Sequence, residues 1–477
     1  MTGEGAVKVR DAMLFERRVT MRMPFRFGAA TVREASQIFL RLTVEDSKGR
    51  YAHGYATELM VPKWFDKNPA LSAADNEEQL RHSVRIALKL AVDAPSAPAF
   101  ALHAALESEQ HRLAATEGLN DLIASFGLAL TDRAVLDALC RMHDLSIAEA
   151  IRTNLPRIDA STTSDLSGFD IGSFLTSLKP QSSLALRHTV GYLDALTPSD
   201  ISGPRVDDGL PECLEEEIHA YGVSYFKLKV SGRPSEDAAR LKAIASVLDA
   251  LPDYRITLDG NEQFEDEAAV LELLDRIEAE PALARLRHSL LFVEQPFPRA
   301  IALTSPARKL AARVPLEIDE SDGTKDAFLL ACDQGYRGVS SKSCKGFYRS
   351  LLNRIRVEKW NVEGDGGFFM SAEDLTTQAG IAVQQDLALA ALLGLGHVER
   401  NGHHYVDGMQ GADDEEARAW HRAHGDLYRQ APDGRLRLTI QNGRLSLGTT
   451  LGAAGLGICG DAAAASFAAL EKGRSMT

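Results

Sequence analysis

The chain has 477 residues, of which 45% are apolar, and a formal net charge of −14 at pH 7. This length is too great for one small domain and allows a sizeable buried core. The acidic balance, with no basic tail and no block of Lys and Arg, argues against nucleic acid or an anionic membrane as a partner.

The five cysteines are scattered and include no CxxC pair. That pattern is typical of a reducing compartment and argues against a disulfide framework or a zinc ribbon. The first residues carry no apolar signal segment, and no apolar stretch is long enough to span a bilayer. The sequence therefore predicts a soluble, cytoplasmic protein.

The first 154 residues predict one α+β unit. Residues 7–20, 36–45 and 51–58 alternate apolar and polar side chains, as strands do. Residues 21–30, rich in aromatic and turn-forming residues, are predicted to form a loop between the first two strands. From about residue 73 the hydrophobic period becomes helical.

Residues 155–182 are dense in Ser, Thr, Gly and Asp, which predicts a linker. In residues 183–408 short apolar strands alternate with helical segments, which predicts a (β/α)₈ barrel of the α/β class. The strands are predicted at residues 183–192, 225–230, 256–259, 290–294, 316–319, 338–342, 367–371 and 396–400. Farther on, residues 435–447 predict a hairpin that turns at Asn442 and Gly443.

Charged side chains stand at the ends of the second to sixth barrel strands, where barrel enzymes place their catalytic groups. Successive strand ends are separated by about one βα unit, so we expect these side chains to converge on one mouth. They are Lys227, Lys229, Asp259, Glu294, Asp319 and Lys342.

Three of these groups are carboxylates on neighbouring strands. Asp259, Glu294 and Asp319 offer hard oxygen donors suited to Mg²⁺, with Mn²⁺ as an alternative. A small carboxylate substrate bound there would lose its α-proton while the charge of the enolate is neutralised.

The lysines are the candidate bases. Lysine titrates near pKa ~10.4, so it is a poor base at neutral pH. A nearby divalent cation and the second ammonium of Lys227 would both favour a neutral lysine. Lys229 and Lys342, on opposite sides of the mouth, could then address opposite faces of one carbon.

The ordered motifs KxK, DxN, EQP, DES and KxxKG resemble those of the enolase superfamily. Within its mandelate racemase/muconate lactonizing enzyme family, the lysines on the second and sixth strands resemble the muconate-lactonizing branch. The resemblance covers nearly the whole chain and implies a TIM-like barrel. It also implies a capping domain in residues 1–154 that is completed by the C-terminal segment 409–477.

The resemblance also implies roles for single residues. Lys229, with Lys227 as its KxK partner, would be the acid/base nearer the substrate, and Lys342 the opposing base. Asp259, Glu294 and Asp319 would be the Mg²⁺ ligands. We further expect a homo-oligomer.

Four more residues are candidate substrate contacts. Glu373 and Glu399 end the seventh and eighth strands on the catalytic face, and Asn261 follows Asp259. Arg26, in the first N-terminal loop, is a candidate clamp for a distal anion. The paired histidines at 403–404 could contact substrate, but paired histidines past a strand end are more often ordinary loop residues.

The predicted activity is removal of the proton next to a carboxylate to form a metal-stabilised enolate. Two lysine bases favour a racemase or epimerase. A lyase (a dehydratase or an o-succinylbenzoate-synthase-like enzyme) or a cycloisomerase would use the same site. A catalytically inactive barrel with a binding role is the minor alternative, because both lysines and all three carboxylates are present.

Overall fold

The computed structural model of the protein describes residues 5–28, 30–364 and 366–474. Residue 29, which belongs to the predicted loop 21–30, lies outside the described residues. Across the described ranges, no helix is both long and apolar enough to cross a membrane.

The N-terminal part is an antiparallel sheet that packs on helices. Its strands lie in the order β3-β2-β1-β4 and comprise β1 (Ala6–Phe27), β2 (Ala30–Asp46), β3 (Tyr51–Leu59) and β4 (Ala97–Pro98). The helices of this part are α1 (Ala73–Asp93), α2 (Ala99–Thr116), α3 (Asp121–Met142) and α4 (Ile147–Arg152). Buried apolar residues of β1, β2 and β3 share one core with α1, α2 and α3.

The prediction of a loop at residues 21–30 is wrong, because β1 continues to Phe27. Its last residues pair with the start of β2 after an irregularity in the register that includes Pro24. Proline cannot donate to a strand ladder, so it is tolerated at such an irregularity. Side chains alternate along a strand, so Phe25 and Phe27 are buried while Arg26 is exposed.

Eight parallel strands of the described chain form the barrel. They are β5 (Ser183–Val190), β6 (Tyr225–Lys229), β7 (Arg255–Asp259), β8 (Leu290–Glu294), β9 (Leu316–Ile318), β10 (Gly338–Ser341), β11 (Phe369–Ala372) and β12 (His397–Glu399). The hydrogen-bonded order is β11-β10-β9-β8-β7-β6-β5-β12, and β11 lies beside β12. Each strand begins and ends within two residues of its prediction, and the predicted (β/α)₈ fold class is confirmed.

Helices connect and follow the barrel strands. α5 (Ile171–Ser177) precedes the barrel, within the segment predicted as a linker. The helices from the barrel onward are α6 (Leu214–Tyr221), α7 (Pro234–Leu248), α8 (Glu267–Ala279), α9 (Ala284–His288), α10 (Arg299–Ala302), α11 (Arg308–Ala311), α12 (Ala327–Gln334), α13 (Phe347–Glu363), α14 (Ile381–Leu392), α15 (Gly402–Tyr405), α16 (Asp414–Ala423), α17 (Gly448–Gly452) and α18 (Gly460–Arg474). α7 begins with a proline, whose missing N–H is not needed in a first turn. α6 is followed directly by Gly222, whose φ of 66° is the left-handed conformation that favours glycine.

The predicted hairpin at residues 435–447 is only partly present. Asn442 and Gly443 do form a turn, with φ of 50° and 68°. The flanking strands, however, pair elsewhere: β14 (Leu436–Leu438) pairs with β13 (Tyr428–Gln430), and β15 (Arg444–Ser446) pairs with β5.

The C-terminal segment packs back on the N-terminal sheet. Phe467 of α18 contacts the rings of Phe15, Phe39 and Tyr55. A second contact is polar: the buried Asp137 of α3 accepts hydrogen bonds from the backbone N–H groups of Tyr55 (3.0 Å) and Leu456 (2.7 Å). One carboxylate therefore joins a cap strand, a cap helix and the C-terminal segment.

We expect Asp137→Asn to lower the free energy of unfolding by roughly 2–4 kcal/mol, because it removes a buried charge that accepts several hydrogen bonds and pairs with Arg141. Urea unfolding would measure the change. Glu236→Gln is the matched control, since that exposed carboxylate on α7 should contribute no more than about 0.5 kcal/mol. Equal stability of the two variants would contradict the linking role.

Candidate active site

Lys227 is the centre of a buried cluster of carboxylates at the mouth of the barrel. Its ammonium lies 2.7 Å from Glu294, 2.8 Å from Glu399, 2.9 Å from Asp259 and 3.1 Å from Glu373. Burial alone would lower the pKa of Lys227, but these carboxylates outweigh it and hold the pKa well above its usual value. Lys227 is thus a fixed positive charge within the cluster.

Lys229 lies two residues farther along β6, so its side chain leaves the strand on the same face. Its ammonium donates to Asp259 (2.5 Å) and to the side-chain oxygen of Asn261 (2.6 Å). The backbone N–H of Asn261 donates in turn to Asp259 at 2.8 Å. Asp259 and Asn261 therefore fix the position of Lys229.

Lys342 follows β10, four strands from β6 in the eight-strand ring, so the two strand ends face each other across the axis. Its ammonium donates to Asp319 (2.5 Å), lies 3.0 Å from Glu373 and stands 4.4 Å from the ring centroid of Trp64. Burial would lower the pKa of Lys342, but Asp319 and Glu373 raise it well above its usual value. Two lysines thus approach the mouth from opposite sides.

The donor set fits a hard divalent cation. Glu294, Asp319 and Glu373 are buried, and each presents an oxygen within 4.8 Å of the others. Among the described residues, Oε2 of Glu294 has no hydrogen-bond partner. Burial and the carboxylates of Asp259 and Glu373 raise the pKa of Glu294 well above its usual value. Oxygen donors of this kind are those that Mg²⁺ prefers.

This group differs in one member from the predicted ligands. Asp259 lies outside it, and one of its oxygens contacts both Lys227 and Lys229. Glu373, predicted only as a substrate contact, lies inside it and also accepts a hydrogen bond from Arg187 at 3.0 Å. The structure therefore adds Glu373 to the candidate metal ligands.

A small cavity between the cap and the barrel opens onto this cluster. Its barrel side includes all three lysines of the site, Asn261, Glu399 and Asn401. Its cap side is formed by Phe25, Phe27, Val61 and Trp64. Arg26, whose side chain is exposed, does not line the cavity.

The fold is similar to that of several solved structures. A mandelate racemase/muconate lactonizing protein from Herpetosiphon aurantiacus matches with a TM-score of 0.58 and 15% identity, over 93% of this chain and 97% of that one. An enolase from Bradyrhizobium, complexed with magnesium and mandelic acid, matches with a TM-score of 0.59 and 15% identity, over 97% and 98%. A dipeptide epimerase from Enterococcus faecalis, complexed with Mg and L-Leu-L-Tyr, matches with a TM-score of 0.59 and 14% identity, over 94% and 99%.

The chain therefore shares its fold with these mandelate racemase/muconate lactonizing, enolase and dipeptide epimerase structures. No protein-family model and no curated protein matches the sequence. The muconate-lactonizing branch therefore remains a prediction from the sequence motifs. Because identities this low establish the fold alone, the roles of the site residues depend on the contacts within this chain.

Sequence reasoning missed several residues of the site. Trp64, which stacks on Lys342, comes from the cap, and no barrel spacing indicates it. Lys67, also from the cap, contacts the buried Glu320 beside Asp319. Arg187 is a buried charged residue within β5, and a charged residue inside a predicted barrel strand was a usable signal for a buried partner such as Glu373.

We expect Phe27→Ala to raise KM several-fold while leaving Mg²⁺ affinity unchanged, because Phe27 lines the cavity but contacts no carboxylate of the cluster. Arg26→Ala, one residue away on the exposed face, should leave both quantities unchanged. Steady-state kinetics and calorimetry on one substrate would compare them. A larger effect of Arg26→Ala would favour the anion clamp predicted from the sequence.

Proposed function

We propose that the protein is a Mg²⁺-dependent enzyme that removes the proton next to a carboxylate, and that it acts as a racemase or epimerase. The observation that carries this proposal is the position of Lys229 and Lys342. Both ammonium groups line one cavity, from strands that face each other across the barrel. A carbon held between them would present one face to each lysine.

Asp259, Glu294 and Asp319, together with Glu373, are the proposed ligands of the metal ion. When bound, Mg²⁺ would supply positive charge that stabilises the developing enolate. Mn²⁺, which shares the preference for oxygen donors, should also be accepted.

The lysines carry the proton in this scheme. In one direction a neutral Lys229 removes the α-proton and the ammonium of Lys342 returns a proton to the opposite face. In the other direction Lys342 is the neutral base and the ammonium of Lys229 is the acid. The ammonium of Lys227 lowers the pKa of Lys342, against the stronger effects of Asp319 and Glu373. Asn261 and Asp259 hold Lys229 in place for either step.

A small carboxylate is the proposed substrate class. The Bradyrhizobium and Enterococcus proteins named above were solved with mandelic acid and a dipeptide, respectively, both of which carry a carboxylate. The cavity here is small and lined by aromatic cap residues, which suits a compact acid with an apolar group. The homo-oligomer and the cytoplasmic location remain predictions from the sequence.

The decisive experiment is a screen of carboxylic acids for exchange of the α-proton in D₂O with Mg²⁺ present, followed by NMR. Exchange accompanied by inversion supports a racemase or epimerase. Exchange with loss of water or ring closure would identify a lyase or cycloisomerase instead. No exchange with any acid, from a protein that binds Mg²⁺, would favour an inactive barrel with a binding role.

A further inference from the structure

A second cluster of potential metal ligands lies outside the candidate active site. His188 is on β5, Glu217 is on α6, and His403 and His404 are on α15; all four side chains are buried. His188 Nδ1 lies 3.3 Å from His403 Nε2, which lies 3.2 Å from Glu217 Oε2. The remaining pair, His188 Nδ1 and Glu217 Oε2, is 3.9 Å apart.

We propose that His188, Glu217 and His403 bind one Zn²⁺ ion. Two imidazole nitrogens and one carboxylate oxygen are a donor set that suits zinc, whereas the all-oxygen cluster at the barrel mouth suits Mg²⁺. The inference is independent of the proposed function, because none of these residues belongs to the Mg²⁺ site or contributes a base.

The distances fit a tetrahedral ion. With metal–ligand bonds of about 2.0–2.2 Å, ligand atoms on a tetrahedron lie roughly 3.3–3.6 Å apart. Two of the three separations fall near this range, and the third would need a shift of only a few tenths of an ångström.

Two polar atoms of the cluster lack a hydrogen bond from the described residues of the protein. In the described part of the chain, Oε2 of Glu217 and Nδ1 of His403 have no hydrogen-bond partner, although both residues are buried. Burying such atoms without partners is costly, and an ion bound by Glu217 Oε2 would remove that cost for the carboxylate.

Neighbouring residues hold the proposed ligands in position, as outer hydrogen-bond partners do in metal sites. The other oxygen of Glu217 contacts His404 Nδ1 at 2.5 Å, which fixes the carboxylate. The backbone oxygen of His404 accepts a hydrogen bond from Arg22 of β1 at 2.8 Å. The ion would therefore join the first barrel strand, the helix that precedes the second strand, and the turn after the last strand.

That position gives the ion a structural role beside the active site. Thr189, which follows His188, donates to Glu399, and Asn401 donates to Glu399 at 2.7 Å. Fixing residues on both sides of Glu399 would hold this carboxylate against Lys227. We expect zinc removal to loosen this side of the mouth without changing the Mg²⁺ ligands.

Metal analysis of the full-length protein tests the proposal. Protein expressed with added Zn²⁺ and then desalted should retain about one equivalent of zinc, and excess Mg²⁺ should not displace it. Replacement by Co²⁺ should give the visible absorption of a tetrahedral cobalt site. Glu217→Gln should lose the zinc and the cobalt spectrum, whereas His219→Ala, an exposed histidine on the same helix, should keep both.

A second measurement and a control variant make the test decisive. If Glu217→Gln does not fold, zinc stoichiometry and the cobalt spectrum of the unmodified protein decide the matter alone. Glu294→Gln, which changes only the Mg²⁺ site, should retain its zinc, so failure of one site can be distinguished from failure of the other. Unmodified protein with no retained zinc and no cobalt spectrum, or Glu217→Gln with the full amount of zinc, would overturn the proposal.

Discussion

Glu294→Gln should lower the affinity for Mg²⁺ by at least about a hundredfold, and activity should fall with it. A bound cation would keep Glu294 ionised, so the change removes one negative charge and one oxygen donor from the buried cluster. Replacing residues that only orient a metal ligand already costs about 10–100-fold, so loss of a ligand should cost more. Calorimetric titration with Mg²⁺, repeated with Mn²⁺, measures the effect. Unchanged affinity and activity would show that the site is assigned wrongly.

The same titration separates the ligand set predicted from the sequence from the group that the structure brings together. Asp259→Asn should weaken binding as strongly as Glu294→Gln if Asp259 is a ligand, and Glu373→Gln should do so if Glu373 is one. Glu317→Gln is the matched control. Burial raises the pKa of Glu317 to about 8, so at neutral pH the amide replaces a mostly uncharged group. Its metal affinity should therefore stay unchanged.

The barrel was predictable because each of its strands is a short, local apolar segment. A parallel strand buried on both faces shows as a run of apolar residues, and the helix that follows sets the distance to the next strand. The charged strand ends follow from the same spacing, so Lys229 and Lys342 could be placed on opposite sides of the mouth. Their hydrogen-bond partners could be inferred only where they too stood at a strand end, as Asp259 does.

The errors concern which segments pair with each other as strands. Pro24 and the aromatic residues around it have the composition of a loop, but pairing with β2 carries the strand through to Phe27. In the tail, the turn at Asn442 and Gly443 was visible, but the partner of β15 is β5, more than 250 residues earlier. Turn residues fix the local backbone and do not identify the strand that lies alongside.

Side chains from distant segments explain what was missed at the site. His188, Glu217 and His403 come from three separate elements, and none of them has the spacing of a familiar metal motif. Trp64 belongs to the cap and reaches Lys342 only because the cap folds over the barrel. Such contacts depend on tertiary packing, which one sequence does not reveal.

The two lysines should differ in the stereochemistry that each controls. If Lys229 and Lys342 each serve one face of the substrate carbon, Lys342→Ala should abolish α-proton exchange for one enantiomer and leave measurable exchange for the other. Lys229→Ala should give the opposite result. The exchange that is lost should fall by about 10²–10⁴-fold, the usual contribution of a positioned acid or base. NMR in D₂O, with each enantiomer of a confirmed substrate, measures both rates.

Lys342→Arg distinguishes a base from a fixed charge. Arginine keeps the positive charge beside Asp319 and Trp64 but does not give up its proton near neutral pH. If Lys342 is a base, exchange for its enantiomer should be lost in both Lys342→Ala and Lys342→Arg. If its role is purely electrostatic, exchange should survive in Lys342→Arg. Both alanine variants should still bind Mg²⁺, because neither lysine is a ligand and removing a positive charge reduces repulsion of the cation. If both alanine variants lost α-proton exchange equally for both enantiomers, two independent bases would be excluded. A one-base lyase or cycloisomerase would then be the better description.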